Sequence, residues 1–446
     1  MVNKDAHTPP EEPLAPDTGD TGDTGEDTQL PEGVLAVPDA LSTPESWLDP
    51  FDWYAEMRET EPVHWDAERE CWDVFRYDDV RAILTDHETF SSDPRKASNP
   101  ALREASEDVE LDTMLGNDPP KHDQLRGVVE EFFRPRAVAD LAPRIEEIAN
   151  DCLDDVVDSG EMDLVDDLAY PLPVIVIAEL LGVPSEDRDT FKRWSDTLVE
   201  TPTEQTEEAA KEVAERREET LDELRDYFDD LIEQRRAHPE DDLISDIVQA
   251  EVDHRPLTRG ELLGFCTLLL VAGNITTTNL LTNAVWTLTE NPGALRELDG
   301  STGALTRVVE ETLRYRSPVQ ALARVATHDV ALAGQTIQKG DVIIPWIGSA
   351  NRDPKAFPQV DQFVADRTPN QHFGFGRGVH YCLGAPLARL ETRIALSVLL
   401  SRVGDIEAAT DSADLEPVPS AFIYGVQSFP IRFVAREAGV ERRPVA

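Results

Sequence analysis

The stretch Phe375-Gly376-Arg377-Gly378-Val379-His380-Tyr381-Cys382-Leu383-Gly384 decides how this chain is read. A cysteine follows a glycine-rich loop and stands immediately before a helical run, Ala385 to Leu400. At that place backbone N–H groups of the helix start can point at the sulfur and favour the thiolate. No cysteine or histidine partner sits at zinc spacing. A single thiolate suits haem, whose other in-plane ligands are its own nitrogens. The competing reading is a buried cysteine in a glycine turn, and it is the better one for Cys71, Cys152 and Cys266. A dinucleotide fingerprint fails, because Gly374, Gly376 and Gly378 are spaced G-x-G-x-G and no strand leads in.

This run resembles the cysteine-ligand loop of the cytochromes P450, the haem-thiolate monooxygenases. All six fixed positions of the pattern F-G-x-G-x-H-x-C-x-G are present, and the following Ala385-Pro386-Leu387-Ala388-Arg389-Leu390-Glu391 is similar to that of the soluble prokaryotic members. The likeness runs from near Pro44 to near Phe433. It implies a mostly α single domain with a small β region, spanning residues 44–446. In that fold haem b lies between a long distal helix and the cysteine-loop helix. Cys382 is then the iron ligand, with Phe375, Gly376 and Gly384 against the cofactor.

Three further constellations extend the resemblance. Glu311-Thr312-Leu313-Arg314 places Glu and Arg at i, i+3 on one helix face, a weak signal alone because such pairs are common on solvated faces. Taken with the cysteine loop it resembles the family's E-x-x-R pair, and Arg367 matches the arginine that completes that structural network. Ala272-Gly273-Asn274-Ile275-Thr276-Thr277-Thr278 interrupts the longest apolar helix. Threonine hydroxyls there can bond back to i−4 carbonyls and open a local bulge, or the run is a bend made by packing. It resembles the oxygen-binding groove of the distal helix, in which Ala272 faces the cofactor and Thr276 matches the threonine that hydrogen-bonds dioxygen. The family usually carries Asp or Glu before that threonine. This chain has Ile275, so proton delivery must run through water or a substrate hydroxyl. Finally, His122 and Arg126 (i, i+4 after Pro119-Pro120), Arg324 and His380 match positions that hold the haem propionates, for which charge-assisted bonds from Arg and His are the expected physics.

The remainder of the chain is helical through Thr289, with Asp78 as the expected cap of a short helix at Asp79 to Leu84 and a strand pair at Val63–Trp65 and Cys71–Phe75. Residues 91 to 117 read as irregular. Short β runs are expected at Ala323–Ala326, Val330–Leu332 and Val342–Ile347, and a long coil from Asn351 to Gly378. No strand–helix alternation is present, which excludes a doubly wound sheet. Residues 1–43 read as an acidic tail without apolar periodicity.

Lys+Arg is 41 against Asp+Glu 89, a net charge of −48. That balance excludes nucleic acid and anionic membrane surfaces as partners. Only seven of the cations are lysines, and the acids are spread along the whole chain. This composition resembles proteins from organisms that keep molar salt in the cytoplasm, such as halophilic archaea, because a Debye length of about 3 Å at 1 M screens self-repulsion. The beginning of the chain has no basic segment followed by an apolar one. The strongly apolar stretch around Leu262 to Gly273 falls short of a membrane span, so a soluble, cytoplasmic monomer is expected.

The resemblance implies insertion of one atom of dioxygen into a small apolar organic substrate, with Leu322, Phe422 and Ile423 lining its pocket. No flavin or iron–sulfur motif is visible, so electrons come from an external ferredoxin with its reductase. Arg377, Arg389 and Arg393 are expected to form a basic cluster on the thiolate side where that acidic partner docks. Two alternatives stay open: a peroxide-using oxygenase or isomerase on the same fold, or a haem-binding sensor without turnover.

Overall fold

The computed structural model describes residues 37–100, 102–103, 112–184, 187–199, 207–298 and 300–436. Most of the acidic tail, part of the irregular 91–117 segment and the last ten residues lie outside it. The chain order of the principal helices is α1 (Phe51–Thr60), α2 (Tyr77–Thr85), α3 (Lys121–Val129), α4 (Ala142–Asp154), α5 (Pro171–Leu181), α6 (Arg188–Val199), α7 (Glu207–Ala237), α8 (Arg259–Glu290), α9 (Thr302–Tyr315) and α10 (Ala385–Arg402). One domain of mostly helical architecture results, as the sequence implies.

Helix α8 is the axis of that core. It starts in a capping box: Thr258 accepts from the Glu261 N–H, and the Glu261 carboxylate accepts from the Thr258 N–H at 2.8 Å. Its buried residues point to every side, from Leu262 and Phe265 to Leu280 and Trp286, because α5, α6, α7, α9 and α10 all pack on it. An 18-residue window of α8 has mean hydropathy 1.4, enough in length and composition for a membrane crossing, which the stretch Leu262 to Gly273 alone does not reveal. Its place inside the helical core accounts for that composition. The helix stays α-helical throughout, so the expected bulge at the threonine run does not form. The back-bond does form: Thr276 Oγ1 donates to the Ala272 carbonyl at 2.8 Å, within an unbroken ladder.

Beside the helices lies a five-stranded sheet, β1 (Val63–Asp66), β2 (Cys71–Val74), β3 (Phe90–Ser91), β5 (Arg324–Ala326) and β6 (Val342–Pro345), in the order β1-β2-β6-β5-β3. Strand β6 pairs parallel to β2 and antiparallel to β5, and β3 closes the edge with Ser91 opposite Val325. A second sheet joins β4 (Glu161–Asp163), β7 (Val403–Ala408) and β8 (Pro430–Ala435) in the order β7-β8-β4.

One expectation needs correction here. Asp78 does not cap α2: Arg76 occupies the N-cap, and Asp78 and Asp79 lie in the first turn, where carboxylates favour the helix dipole. Before residue 44, Leu41 is buried, and Trp47 Nε1 donates to the Leu41 carbonyl at 2.6 Å.

Candidate active site

The cysteine loop is built by two glycines and three backbone hydrogen bonds. Gly376 (φ +66°) and Gly378 (φ +75°) take left-handed backbone, and a Cβ on Gly378 would collide with the Leu84 carbonyl at the end of α2. The bonds are Gly376 N–H to Phe373 C=O (2.7 Å), Tyr381 N–H to Gly378 C=O (3.1 Å) and Cys382 N–H to Phe375 C=O (2.9 Å). Burial pushes the Cys382 thiol up, but the N–H groups of Gly384 and Ala385 at the start of α10 and the charges of Arg126 and Arg389 oppose it. None of the other cysteines stands before a helix start: Cys71 lies in β2, Cys152 in α4 and Cys266 in α8. Burial pushes Cys71 up to about 12 and Cys152 up to about 11, and Cys266 further still. Cys382 alone lies directly before a helix start, where those N–H groups and cations oppose the effect of burial.

Behind the loop, Glu311 and Arg314 on α9 are fully buried. Arg314 Nη2 donates to Glu311 Oε1 at 2.8 Å, and Arg367 Nε donates to Oε2 at 3.0 Å. The network is larger than the three residues read from sequence. The Val364 N–H and Asn370 Nδ2 also reach the same carboxylate at 3.0 and 3.2 Å, while Arg314 donates to the carbonyls of Asn351, Val360 and Gln362. A buried charge so fully bonded is a clamp for the coil that leads into the cysteine loop.

On the side of α3, the His122 and His380 rings lie 4.3 Å apart, and the Nε2 of each is buried without a partner. Arg324 on β5 is also buried. Burial pushes its guanidinium down to about 10, against the charge of Asp118. Burial, then the charges of Arg324 and His122, push His380 down to about 3. Arg126 is half-buried, and its Nη1 donates to the Tyr381 carbonyl at 2.9 Å. Buried ring nitrogens without a partner, beside the buried Arg324 guanidinium, mark a place that suits anions. Asp118 is the residue the sequence reading missed: its carboxylate takes the Ser91 hydroxyl, the Ser92 N–H (2.9 Å) and Lys96 (2.6 Å), and its carbonyl takes the His122 N–H (3.0 Å). Its position directly before Pro119-Pro120 was the available signal.

In the middle of α8, Ala272 is exposed and Val271, Gly273, Ile275 and Thr276 are half-buried, while Leu269, Leu270, Asn274 and the run 277–288 are buried. Of the residues expected to line the pocket, Leu322 is half-buried and donates its N–H to the Pro345 carbonyl at 3.3 Å. Phe422 stacks on Trp346 at 5.8 Å, and Ile423 bridges to Val319. The basic cluster of Arg377, Arg389 and Arg393 is not three free cations. Arg389 is neutralised by Glu310 (Nε to Oε1, 2.6 Å) and donates to the Tyr381 hydroxyl at 2.9 Å. A cleft of about 1120 Å³ between the end of α8 and β7 contains none of the site residues.

These features fit an iron porphyrin. The Cys382 sulfur faces the start of α10, two unpartnered histidine Nε2 atoms and the Arg324 guanidinium suit carboxylates, and a Cβ built on Gly384 meets nothing within 4 Å. Among the described residues no group of three or more His, Cys, Asp or Glu side chains could hold a metal by themselves.

A helical core around one long distal helix, with a single thiolate presented by a glycine loop, defines a haem-thiolate enzyme. The chain belongs to the cytochrome P450 family, whose profile matches residues 51–299 and 304–403. It is 45% identical over 385 residues to cytochrome P450 109 of Bacillus spizizenii, covering 86% of this chain and 92% of that one. It is 41% identical over 384 residues to the erythromycin C-12 hydroxylase of Saccharopolyspora erythraea, covering 85% and 94%. Among solved structures, a Bacillus megaterium cytochrome P450 in complex with testosterone shares 43% identity and superposes with a TM-score of 0.79 over 87% of this chain and 99% of that one. The chain is therefore a monooxygenase, an oxidoreductase. These relatives are bacterial and give the haloarchaeal reading no support.

Proposed function

We propose that this monooxygenase carries haem b, held by Cys382 through its thiolate and by His122, Arg126, Arg324 and His380 through the propionates. The observation that carries the assignment is the place of Cys382, whose sulfur receives the N–H groups of Gly384 and Ala385 at the start of α10, whereas Cys71 lies in a strand and Cys152 and Cys266 lie within helices. When bound, haem supplies reductive activation of dioxygen and transfer of one oxygen atom to carbon, helped by the electron density of the thiolate. The protein's own residues do the rest. Phe375, Gly376 and Gly384 shape the proximal cradle, and Ala272 leaves the centre of α8 open. Thr276 Oγ1 donates to Ala272, so toward the pocket it offers lone pairs that accept from an ordered water. Ile275 adds hydrocarbon where an acid would bring charge, so the proton reaches the pocket through that water or through a substrate hydroxyl.

The substrate is a small apolar organic molecule, oriented by Ile275, Leu322, Phe422 and Ile423. The testosterone complex and the erythromycin hydroxylase among the relatives support a polycyclic or macrocyclic size class. Electrons come from a ferredoxin with its reductase, and the protein acts as a cytoplasmic monomer, its domain spanning residues 44–446 with Leu41 added to the core. The net charge of −48 suits a cytoplasm of molar salt. The missing acid favours a second reading, peroxide as the oxygen source. A panel of steroids and macrolides, supplied with ferredoxin, reductase and ¹⁸O₂, separates the possibilities. The proposal expects one ¹⁸O per product molecule and strict dependence on the reductase. Product formed only with added peroxide supports the second reading, and binding without product marks a sensor.

A further inference from the structure

Glu310 stands beside the clamp residue Glu311, yet its side chain serves a different network. Its carboxylate accepts Arg389 Nε on Oε1 (2.6 Å) and Arg389 Nη2 on Oε2 (3.0 Å), and His372 Nε2 lies 3.1 Å from Oε2. His372 Nδ1 accepts the Gly374 N–H at 3.1 Å, which leaves the ring proton on Nε2, aimed at Glu310. Burial would push the Glu310 carboxyl up. The bonds from His372 and Arg389 more than offset that and hold it at about 2. Arg389 then reaches the loop twice: Nη1 donates to the Tyr381 hydroxyl at 2.9 Å, and the guanidinium lies 4.4 Å from the centre of the Phe375 ring. Tyr381 and Phe375 meet edge to face at 6.4 Å, and the Phe375 carbonyl receives the Cys382 N–H at 2.9 Å. From the other side Arg126 holds the Tyr381 carbonyl.

We infer that Glu310 is a positioning residue for the iron ligand: through Arg389, His372 and Tyr381 it fixes both flanks of the cysteine loop, so that the sulfur stays over the start of α10. The inference rests on the haem-thiolate reading above. Glu311 and its arginines clamp the coil behind the loop, whereas Glu310 acts on the residues that touch Cys382. No global unfolding is needed for its loss to be felt, because the partners are polar and partly exposed. The sulfur would simply have more freedom to leave the N–H groups of Gly384 and Ala385.

The test uses the reduced holoenzyme under carbon monoxide in mild denaturant. The rate at which the thiolate-type Soret band converts to the thiol-type band is measured beside the iron midpoint potential and the far-UV melting curve. Glu310→Gln is expected to speed conversion about tenfold, the size usual for residues that orient a metal ligand, at denaturant levels where its melting curve still shows the folded helical signal. Tyr381→Phe, which deletes one hydroxyl, should move rate and potential in the same direction by less, and Glu310→Asp should recover part of the loss. Wild-type conversion rates in both Glu310→Gln and Tyr381→Phe overturn the inference. If Glu310→Gln is recovered without haem, Tyr381→Phe decides alone. Absence of the thiolate band from the wild type would instead overturn the haem-thiolate reading.

Discussion

Ile275 and Thr276 set a hydrocarbon beside a hydroxyl at the open centre of α8, and the hydroxyl already spends its proton on the Ala272 carbonyl. Removing it takes that alcohol from the centre of α8. Thr276→Ala should therefore lower product formed per reduced cofactor severalfold, measured with saturating substrate and a working reductase, while an unchanged ratio would reduce Thr276 to packing. Ile275→Glu should raise the same ratio and weaken substrate binding, because a carboxylate in apolar surroundings is costly to charge. Glu391 gives a second residue-scale prediction. It lies buried on α10, and burial without an opposing partner pushes it up to about 8 from 4.5. A carboxyl raised on folding leaves stability intact below its unfolded value. As pH climbs from there toward the folded value, stability falls by about 1.4 kcal/mol for each pH unit. Denaturant titrations should then show Glu391→Gln drawing ahead of the wild type between pH 5 and 8 and levelling above that. Parallel curves would mean that Glu391 is ionised in the fold.

At the scale of elements, the start of α8 depends on one carboxylate. Glu261 completes the capping box, takes Arg255 through both oxygens at 2.8 Å and takes Lys121 from α3. Glu261→Ala should cost roughly 2 kcal/mol in chemical unfolding, since it strips a cap and leaves Lys121 and Arg255 without their shared partner. A loss below about 1 kcal/mol, the value of a cap alone, would show that α3 is held by other contacts. The same helix shows what the sequence could and could not reveal. Its run of apolar residues and the glycine spacing of the cysteine loop were legible because both are local. Glu311, Arg314 and Arg367 were legible as a pattern, but Val364 and Asn370 were not, since they reach Glu311 from more than fifty residues away through a backbone N–H and a side-chain amide. Strands β4, β7 and β8 escape a local reading because each finds its partner only through the sheet: Ile431 pairs with Met162, some 270 positions distant. Arg389 looks like a free docking cation in the sequence because its partner Glu310 lies on another helix.

The whole molecule carries 89 acids against 41 bases, and several ion pairs among the described residues are short-range and exposed. Such pairs contribute little each, so long-range repulsion dominates in dilute buffer. The melting temperature should rise as KCl goes from dilute buffer to about 1 M, where the Debye length falls to roughly 3 Å. A flat or falling curve would remove the high-salt reading. Deleting residues 1–30 should leave melting and spectrum unchanged, whereas Leu41→Ala should lower melting by the equivalent of roughly 2–5 kcal/mol, because that side chain is buried under Trp47. The central claim is that one cysteine of four holds the cofactor through its thiolate. The most direct measurement is the absorption spectrum of the reduced, carbon monoxide-treated protein, taken for the wild type and for each cysteine replaced singly by alanine. The red-shifted Soret band of thiolate ligation should be present in the wild type, Cys71→Ala, Cys152→Ala and Cys266→Ala, and absent from Cys382→Ala. The band persisting in Cys382→Ala, or missing from the wild type, would contradict the account.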